Sequence, residues 1–490
     1  MLSKSSVIRG LQCVKSLYLN YYYPYLRDKI SDEQKARFSA GIEIGKLAQT
    51  LFPAGIEIPF NGRNKAKAIE ITKQTLLPDS TLFEACFEYN DVFIACDILQ
   101  MHQDKSITLY EVKSSTRLSP VYIQDAAIQH YVLKRLGYDI RDVKVMYINN
   151  KYRKKGALQT DRLFKTTSVL KEVRELEDAI AKSVSRFKEI IKKHELPQVN
   201  IGTHCFSPYP CDFQNQCWKD VPENSIFELK GVNKEQLFEW YHQGVVRLTD
   251  IDDLNKLPLL ARLQVKSVQS ALEKPDITSI QAFLRKITYP VSFLDFETFQ
   301  SAVPLFENAK PYEQTPFQYS LHILQKNNDL QHVSFIADWN NDIKQTFLES
   351  LLKSLPENGS IVTYNAAFEK MILNQLATDL PEYSNQIQQI TSRIIDLMQP
   401  FKKGWYYLPA MQGSASLKYV LPAIFPELSY QNLNISDGLE ASSAFLSLQT
   451  ETDMFKIQEI KQDLETYCKQ DTFALVKIYE HLKQLVENKK

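Results

Sequence analysis

Two hydrophobic rhythms alternate along the chain. Apolar positions recur at helical spacing over 33–52, and LFEACFEY (82–89), VFIACDIL (92–99) and ITLYEVK (107–113) then alternate like strands. A helical stretch over 120–136 stops at Gly137, and VKVMYIN (143–149) reads as a further strand. This order predicts a mixed sheet with helical cover. One long charged helix is expected over 163–195, ended by Pro197, followed by a loop over 198–220. Residues 226–285 change to short helical segments between turn signals. From about 290 a second α/β pattern begins, with VSFLDFE, FQYSLHIL and HVSFIAD as strands and a helix near 341–353. IVTYN (361–365) is another strand, AAFEKMILNQLA another helix, and a long helix over 453–487 closes the chain. The expected fold class is α/β, with a first domain over 1–220, a small helical connector over 221–287 and a second domain over 288–490.

The length of 490 residues agrees with three parts at roughly 150 residues per domain. Apolar residues make up 44% and charged residues 24%, which excludes wholesale disorder. Lys plus Arg equals Asp plus Glu at 58 each, so a polycation that coats nucleic acid by bulk charge is excluded and only a local basic groove remains open. No apolar run approaches the roughly 18 residues of a membrane span, and the start lacks the apolar core of a secretory signal. A cytoplasmic protein with no membrane partner is expected. Glycine is scarce and no glycine-rich phosphate loop is present, so a nucleotide-driven motor is not supported.

Asp97 on one strand and Glu111 and Lys113 on the next form the first constellation. Alternation puts Glu111 and Lys113 on one side, with Val112 toward the core. Two carboxylates and an ammonium suit phosphodiester hydrolysis: the acids hold a divalent ion that activates water, and the lysine orients water or steadies developing charge. An exposed cross-strand salt bridge is the plainer alternative. The stretch resembles the PD-(D/E)xK nuclease superfamily, in its RecB-like branch, over roughly 1–220. The resemblance implies that Asp97 and Glu111 ligate Mg²⁺ or Mn²⁺ and that Lys113 is catalytic. It also makes QDAAIQHYVLKRLG the branch's glutamine–tyrosine helix, with Gln124, Gln129 and Tyr131 as candidates. Where related enzymes place a metal-binding histidine in the early helix, GIEIGKLAQ offers Gly45, with Glu43 or a water to substitute.

Cys205, Cys211 and Cys217 fall within thirteen residues, both gaps being C-x5-C, and Cys13 is the remaining candidate for a fourth ligand. Clustering of this kind in a cytosolic protein favours metal over disulfide. Zinc accepts four thiolates but takes closer pairs, whereas an iron–sulfur cubane accepts wider spacing. One early cysteine and three after the core are similar in arrangement to the iron–sulfur clasp of RecB-family and CRISPR-adaptation nucleases. A [4Fe–4S] cluster is expected, Zn²⁺ being the alternative, with a structural role. Cys86 and Cys96 read as buried small hydrophobes, and Cys468 lies in a helix.

FLDFET places Asp295 and Glu297 on one face of a strand, YNAAFEK supplies Glu369 at a helix start, and YCKQD sets Tyr467 and Asp471 on one helix face. Acids gathered from separate elements repel without a cation, and two bound metal ions for in-line phosphoryl hydrolysis would need them. Tyr467 can position the attacking water. The order DxE, N-x-x-F-acid, Y-x3-D resembles the DEDD exonucleases of the RNase H-like fold, tyrosine subclass, and residues 288–490 resemble the YprB-like branch. Glu369 stands where that pattern has aspartate, and Asp396 in IIDL resembles a supporting position. The alternative reading is a strand with solvated acids and a plain helix surface.

LKGVNKEQLFEWYHQGVVRLTDIDDL resembles a degenerate helix-hairpin-helix, with a plain helical connector as the alternative. The basic run KYRKKG (151–156) and the helix after it suit either a strand-tracking groove or a solvated face. Together these readings predict a metal-dependent DNase with two nuclease modules. Its expected partners are DNA ends or single strands and a helicase, in repair, recombination or defence. The alternatives are a single active C-terminal exonuclease acting on RNA or DNA, and a nucleic-acid-binding scaffold with decayed sites.

Overall fold

The computed structural model describes residues 1–339, 342–428 and 433–488. The fold is α/β, with two mixed sheets. The chain divides into two compact units. The first comprises Met1–Asp220 with Ser301–Tyr312; the second comprises Val221–Gln300 with Glu313–Lys490. The stretch expected as a connector thus groups with the second unit, and twelve residues from within the expected second domain group with the first.

In the first unit the strands are β1 (Leu2–Ser3), β2 (Ile56–Glu57), β3 (Thr81–Tyr89), β4 (Val92–Met101), β5 (Ile107–Lys113), β6 (Ile140–Ile148) and β7 (Phe164–Ser168). Their order is β2-β3-β4-β5-β6-β7, with β1 pairing parallel to β4. β3, β4 and β5 form an antiparallel meander, and β5 runs parallel to β6 because the Pro120–Arg135 helix carries the chain back over the sheet. One face packs Leu99, Ile107, Leu109 and Val145 against Ala126, Ala127 and Leu133 of that helix. The other face packs Phe83, Ile98 and Met146 against Ile44 and Ala48 of the Asp32–Gln49 helix. The helix expected over 163–195 begins later than its pattern suggested. Phe164–Ser168 is an edge strand with one buried residue, too short and polar to announce itself, and the helix spans Leu170–Lys192.

The second unit holds β8 (Val291–Phe299), β9 (Thr315–Leu324), β10 (Leu330–Ile336), β11 (Ser360–Thr363) and β12 (Ile394–Asp396), in the order β10-β9-β8-β11-β12. β8 and β9 are antiparallel, whereas β11 runs parallel to both β8 and β12. β9 is buried along its whole length although FQYSLHIL alternates apolar and polar residues, because Gln318, Ser320 and His322 hydrogen-bond to Leu464 and Thr472 of the closing helix. Gly359 precedes β11 with φ +88°, and a Cβ there would lie 2.0 Å from the Pro290 carbonyl oxygen, so only glycine lets β11 start against β8. The Met454–Glu487 helix packs its buried face on β8 and β9. The expected helix start at 341 lies outside the described residues; from Ile343 the helix runs to Ser354. Residues 226–268 form a small core of their own around Ile226, Leu237, Leu248 and Val265, between the helices Lys234–His242 and Leu259–Val268. Among the described residues no helix is long and apolar enough to cross a membrane.

Candidate functional site

The first constellation assembles where β4 and β5 pair. The Val112 amide donates to Asp97 Oδ2 at 2.7 Å, fixing that carboxylate on the neighbouring strand. Glu111 is 1% exposed, so its pairing with Lys113 is not the exposed cross-strand salt bridge of the plainer reading. Both faces of β5 are covered by helices, and Glu111 lies on the side capped by Pro120–Arg135 and the N-terminal helix Lys4–Gln12.

Burial of an isolated carboxylate costs several kcal/mol, and here the compensation is complete. Lys4 Nζ lies 3.0 and 3.1 Å from the two oxygens of Glu111, and Lys113 Nζ lies 2.6 Å from Oε1. Gln129 Nε2 donates to the other oxygen. The same two ammonium groups reach Asp125, Lys113 at 2.7 Å and Lys4 at 3.3 Å, so the four side chains close a ring of alternating charge. Burial pushes the Glu111 carboxyl up, but Lys113 and Lys4 overcome it and hold it well below the usual carboxylate range. For Asp97 the balance falls the other way: burial, with Glu111 adding, outweighs Lys4, Lys113 and the Val112 amide and pushes it up to about 7. Glu84 also belongs here. It interrupts the β3–β4 register between the Phe83–Ile98 and Ala85–Cys96 pairs, with φ +56°, a strained position for a side chain of this type, and it feels both Lys4 and Glu111. Four carboxylates (Glu84, Asp97, Glu111, Asp125) against two lysines leave a formal charge of −2, which one divalent ion would neutralise.

Sequence reasoning missed Lys4, Glu84 and Asp125. Lys4 is delivered by a local device, because β1 pairs with β4 and Ser3 then caps the helix that Lys4 begins, its Oγ accepting from the Ser6 amide at 3.1 Å. Removing one partner of a buried charge network leaves the others uncompensated. Lys4→Met is therefore expected to lower unfolding stability by about 3 kcal/mol, with Lys4→Arg retaining most of it. Chemical denaturation measures this, and a wild-type midpoint for Lys4→Met would show that the ring is not holding Glu111.

The four candidate cysteines are free thiols that line one cavity, together with Ser16, His204, Phe213 and Trp218. Burial pushes the Cys217 thiol up, with Cys211, Cys13 and Cys205 adding against Lys15, so the four groups interact. The loop is tied to the N-terminal helix by polar contacts. Arg9 forms a bidentate pair with Asp212, Gln12 Nε2 donates to the carbonyls of His204 and Tyr209 at 2.7 Å, and the Cys211 amide donates to the Cys205 carbonyl at 2.8 Å. Among the described residues the four sulfurs do not form a set within 4.8 Å of one another. That is wider than a zinc tetrahedron, whose thiolates stand about 3.8 Å apart when each metal–sulfur bond is about 2.3 Å. Four thiols lining one cavity fit an iron–sulfur cubane by chemistry.

In the second unit, β8 presents Asp295 and Glu297 to the Met454–Glu487 helix. Carboxylate oxygens of both acids and Cys468 Sγ lie within 4.8 Å of one another. Burial pushes Asp295 well above its ordinary range, and Asp471, Glu297 and Glu369 each push it further. Glu297 is raised likewise by burial and then by Asp471 and Asp437, against Lys418. Asp295 and Glu297 are thus brought together, with Asp471 and Glu369 near enough to act on Asp295 electrostatically. Tyr467 is buried on the same helix, one turn before Asp471.

Glu369 arrives through the turn after β11. Asn365 takes φ +67°, a conformation asparagine tolerates, while Asp396 Oδ1 accepts the Asn365 amide at 2.9 Å and the Met398 amide at 3.0 Å. Asp396 thereby supports the turn rather than facing a cation with that oxygen. Glu369 is 2% exposed, its Oε2 has no hydrogen-bond partner, and burial, with Asp396 adding, pushes it up to about 8. Crowded acids and an orphaned oxygen fit a divalent ion held by oxygen ligands. Cys468, which sequence reasoning placed only in a helix, donates to Asp295 Oδ2 at 3.8 Å, and burial beside the acids keeps its thiol protonated. A neutral thiol is a poor ligand for Mg²⁺, so Cys468 is a neighbour of the acids and not their equal.

Residues 292–416 match a family described as a domain of unknown function (DUF2779). The matched segment carries Asp295, Glu297, Glu369 and Asp396. Uncharacterized protein UU173 of Ureaplasma parvum is 25% identical over 251 residues, which cover 46% of this chain and 35% of that protein. Uncharacterized protein MG366 of Mycoplasma genitalium is 27% identical over 221 residues, 40% of this chain and 32% of that protein. The MG366 homolog of Mycoplasma pneumoniae is 27% identical over 219 residues, with the same shares. The chain spans about a third of the length of these curated relatives.

Proposed function

We propose that the protein is a metal-dependent nuclease that hydrolyses DNA phosphodiester bonds, with one module in each unit. The observation that carries this reading is the pair of buried acids Asp295 and Glu297, side by side on β8, each held back from ionising by burial and by Asp471, with Glu369 also acting on Asp295. A bound Mg²⁺ or Mn²⁺ would supply Lewis acidity at the scissile phosphate and lower the cost of ionising these acids. Asp295, Glu297, Glu369 and Asp471 would hold it, and Tyr467 would position the attacking water for exonucleolytic release. In the first unit Asp97 and Glu111 would hold the ion, with Lys113 steadying the leaving charge. The four cysteines are assigned to a structural [4Fe–4S] cluster, zinc being the competitor. The reading assigns the protein a cytoplasmic role at DNA ends, in repair or defence, with unwinding left to a partner helicase.

The ring around Glu111 favours a second reading in which only the C-terminal module cuts, because both Glu111 oxygens are already engaged by Lys4. Single substitutions separate the two. Under the two-module reading Lys113→Ala and Asp295→Ala each remove part of the Mg²⁺- or Mn²⁺-dependent cutting of single- and double-stranded substrates. Loss with Asp295→Ala alone assigns all cutting to the second unit. A wild-type protein that binds DNA and never cuts, prepared without air, would sink both readings in favour of a scaffold.

A further inference from the structure

After β8 the chain contributes Ser301–Tyr312 to the first unit. This excursion pairs with the basic run KYRKKG. The Asn308 amide donates to the Lys154 carbonyl at 2.8 Å and the Lys154 amide to the Ala309 carbonyl at 3.1 Å. Arg153 Nη1 donates to the Asn308 carbonyl at 2.8 Å, and the Gly156 amide to Glu307 at 2.9 Å. A lysine-rich loop that solvent alone would leave floppy is thereby held as a fixed edge, with Lys151 and Lys155 exposed.

The excursion ends on Tyr312, whose hydroxyl donates to the Ser114 carbonyl, one residue beyond Lys113. Tyr312 adopts φ +57°, costly for an aromatic residue, and its amide donates to Ser301 at 2.7 Å to close the loop. Tyr122, on the Pro120–Arg135 helix, sits with its ring centroid 5.4 Å from Lys113 Nζ. Tyr209, between two of the cluster cysteines, is 49% exposed and held at its carbonyl by Gln12. Tyr122 interacts electrostatically with both Tyr209 and Tyr312. Three tyrosines from three separate elements thus border the first acidic site next to a row of cations.

We propose that Tyr122, Tyr209 and Tyr312, with Lys151, Arg153 and Lys155, form a wall that binds single-stranded nucleic acid by stacking its bases and pairing its phosphates, and so feeds the backbone to the Asp97–Glu111 site. The proposal rests on the nuclease reading and adds the substrate class. Aromatic faces accept any unpaired base, while bases inside a duplex already stack on one another and present no face. The lysines contact phosphates without reading sequence.

The test is equilibrium binding of the full chain, in EDTA, to a fluorescein-labelled oligothymidylate and to a duplex of equal length. Tyr209→Ala, at a half-exposed position that leaves the fold intact, combined with Tyr122→Ala, is expected to weaken the oligothymidylate roughly tenfold while the duplex changes by less than about twofold. Tyr209→Trp restores single-strand affinity. Lys151→Glu with Lys155→Glu weakens both ligands and flattens the salt dependence. Unchanged single-strand affinity in the tyrosine double variant overturns the proposal, as does an equal loss on the duplex. A wild type that binds through these tyrosines but never cuts with metal present would overturn the nuclease reading and leave the wall standing.

Discussion

In a Lys113→Ala background, where only the second unit would cut, Asp295→Asn is expected to lower metal-dependent cleavage by roughly 10³-fold, the scale on which loss of one group stabilising developing charge acts. The same substitution should raise the melting temperature of the metal-free chain. Asp295 is pressed by burial, Asp471, Glu297 and Glu369, so in the folded protein its carboxylate form is the unfavourable one. Glu297 and Glu369 are raised with it, Glu369 to about 8. Folded values above the unfolded ones mean that the native chain keeps protons that the unfolded chain releases. Their stabilisation is complete below the unfolded carboxyl range near pH 4 and is lost as pH rises through the folded values. In EDTA the protein should therefore melt higher near pH 5.5 than near pH 8.5, and Mn²⁺ should remove most of the difference by giving the ionised acids a partner. The amide keeps the shape and removes one charge, so its pH slope should be shallower. Differential scanning calorimetry with and without the ion reads all of this. A wild-type melting temperature that rises between those two pH values would sink the account of the pocket.

Cys205→Ser is expected to abolish a broad absorption near 400 nm and to release iron and sulfide from protein prepared without air. It should also destabilise the first unit by about 4 kcal/mol, because a cross-link spanning Cys13 and the 205–217 loop closes nearly the whole unit. The cavity lined by the four sulfurs is the reason for the size of the effect. The Arg9–Asp212 pair and the Gln12 bonds hold the same two segments together but are half exposed, so they supply only a fraction of it. Tyr209 lies inside this loop, and loss of the cluster should therefore lower single-strand affinity as well. Bound zinc with no iron in the anaerobic protein would assign the clasp to the other metal.

Much of the fold was legible because strands buried on one face, or on both, carry strong patterns. ITLYEVK is β5 to the residue, and VFIACDIL and VSFLDFE lie inside β4 and β8. Cys86 and Cys96 are fully buried, as their apolar alternating runs imply. What the pattern hid is instructive in physical terms. β7 and β12 are short edge elements that take their stability from the neighbour they pair with, and local sequence does not encode a neighbour. The acids of the second pocket were found because each sits in a recognisable local frame, a strand DxE, a helix start and an i, i+4 pair. Lys4, Glu84 and Asp125 stand in no such frame. Lys4 is an ordinary residue in MLSKSS until a two-residue strand places it over Glu111, and Glu84 looks like the solvent face of a strand until a break in the β3–β4 register turns its backbone to φ +56°.

The excursion Ser301–Tyr312 has a consequence for heredity as well as for binding. Ala302, Val303 and Tyr312 pack on the apolar layer that includes Phe52, Tyr110 and Tyr152 of the first unit. A gene ending at codon 220 would specify a polypeptide with that layer bare, and a frameshift in the second half would injure the first half too. The first unit therefore could not be traded between lineages as a self-sufficient cassette.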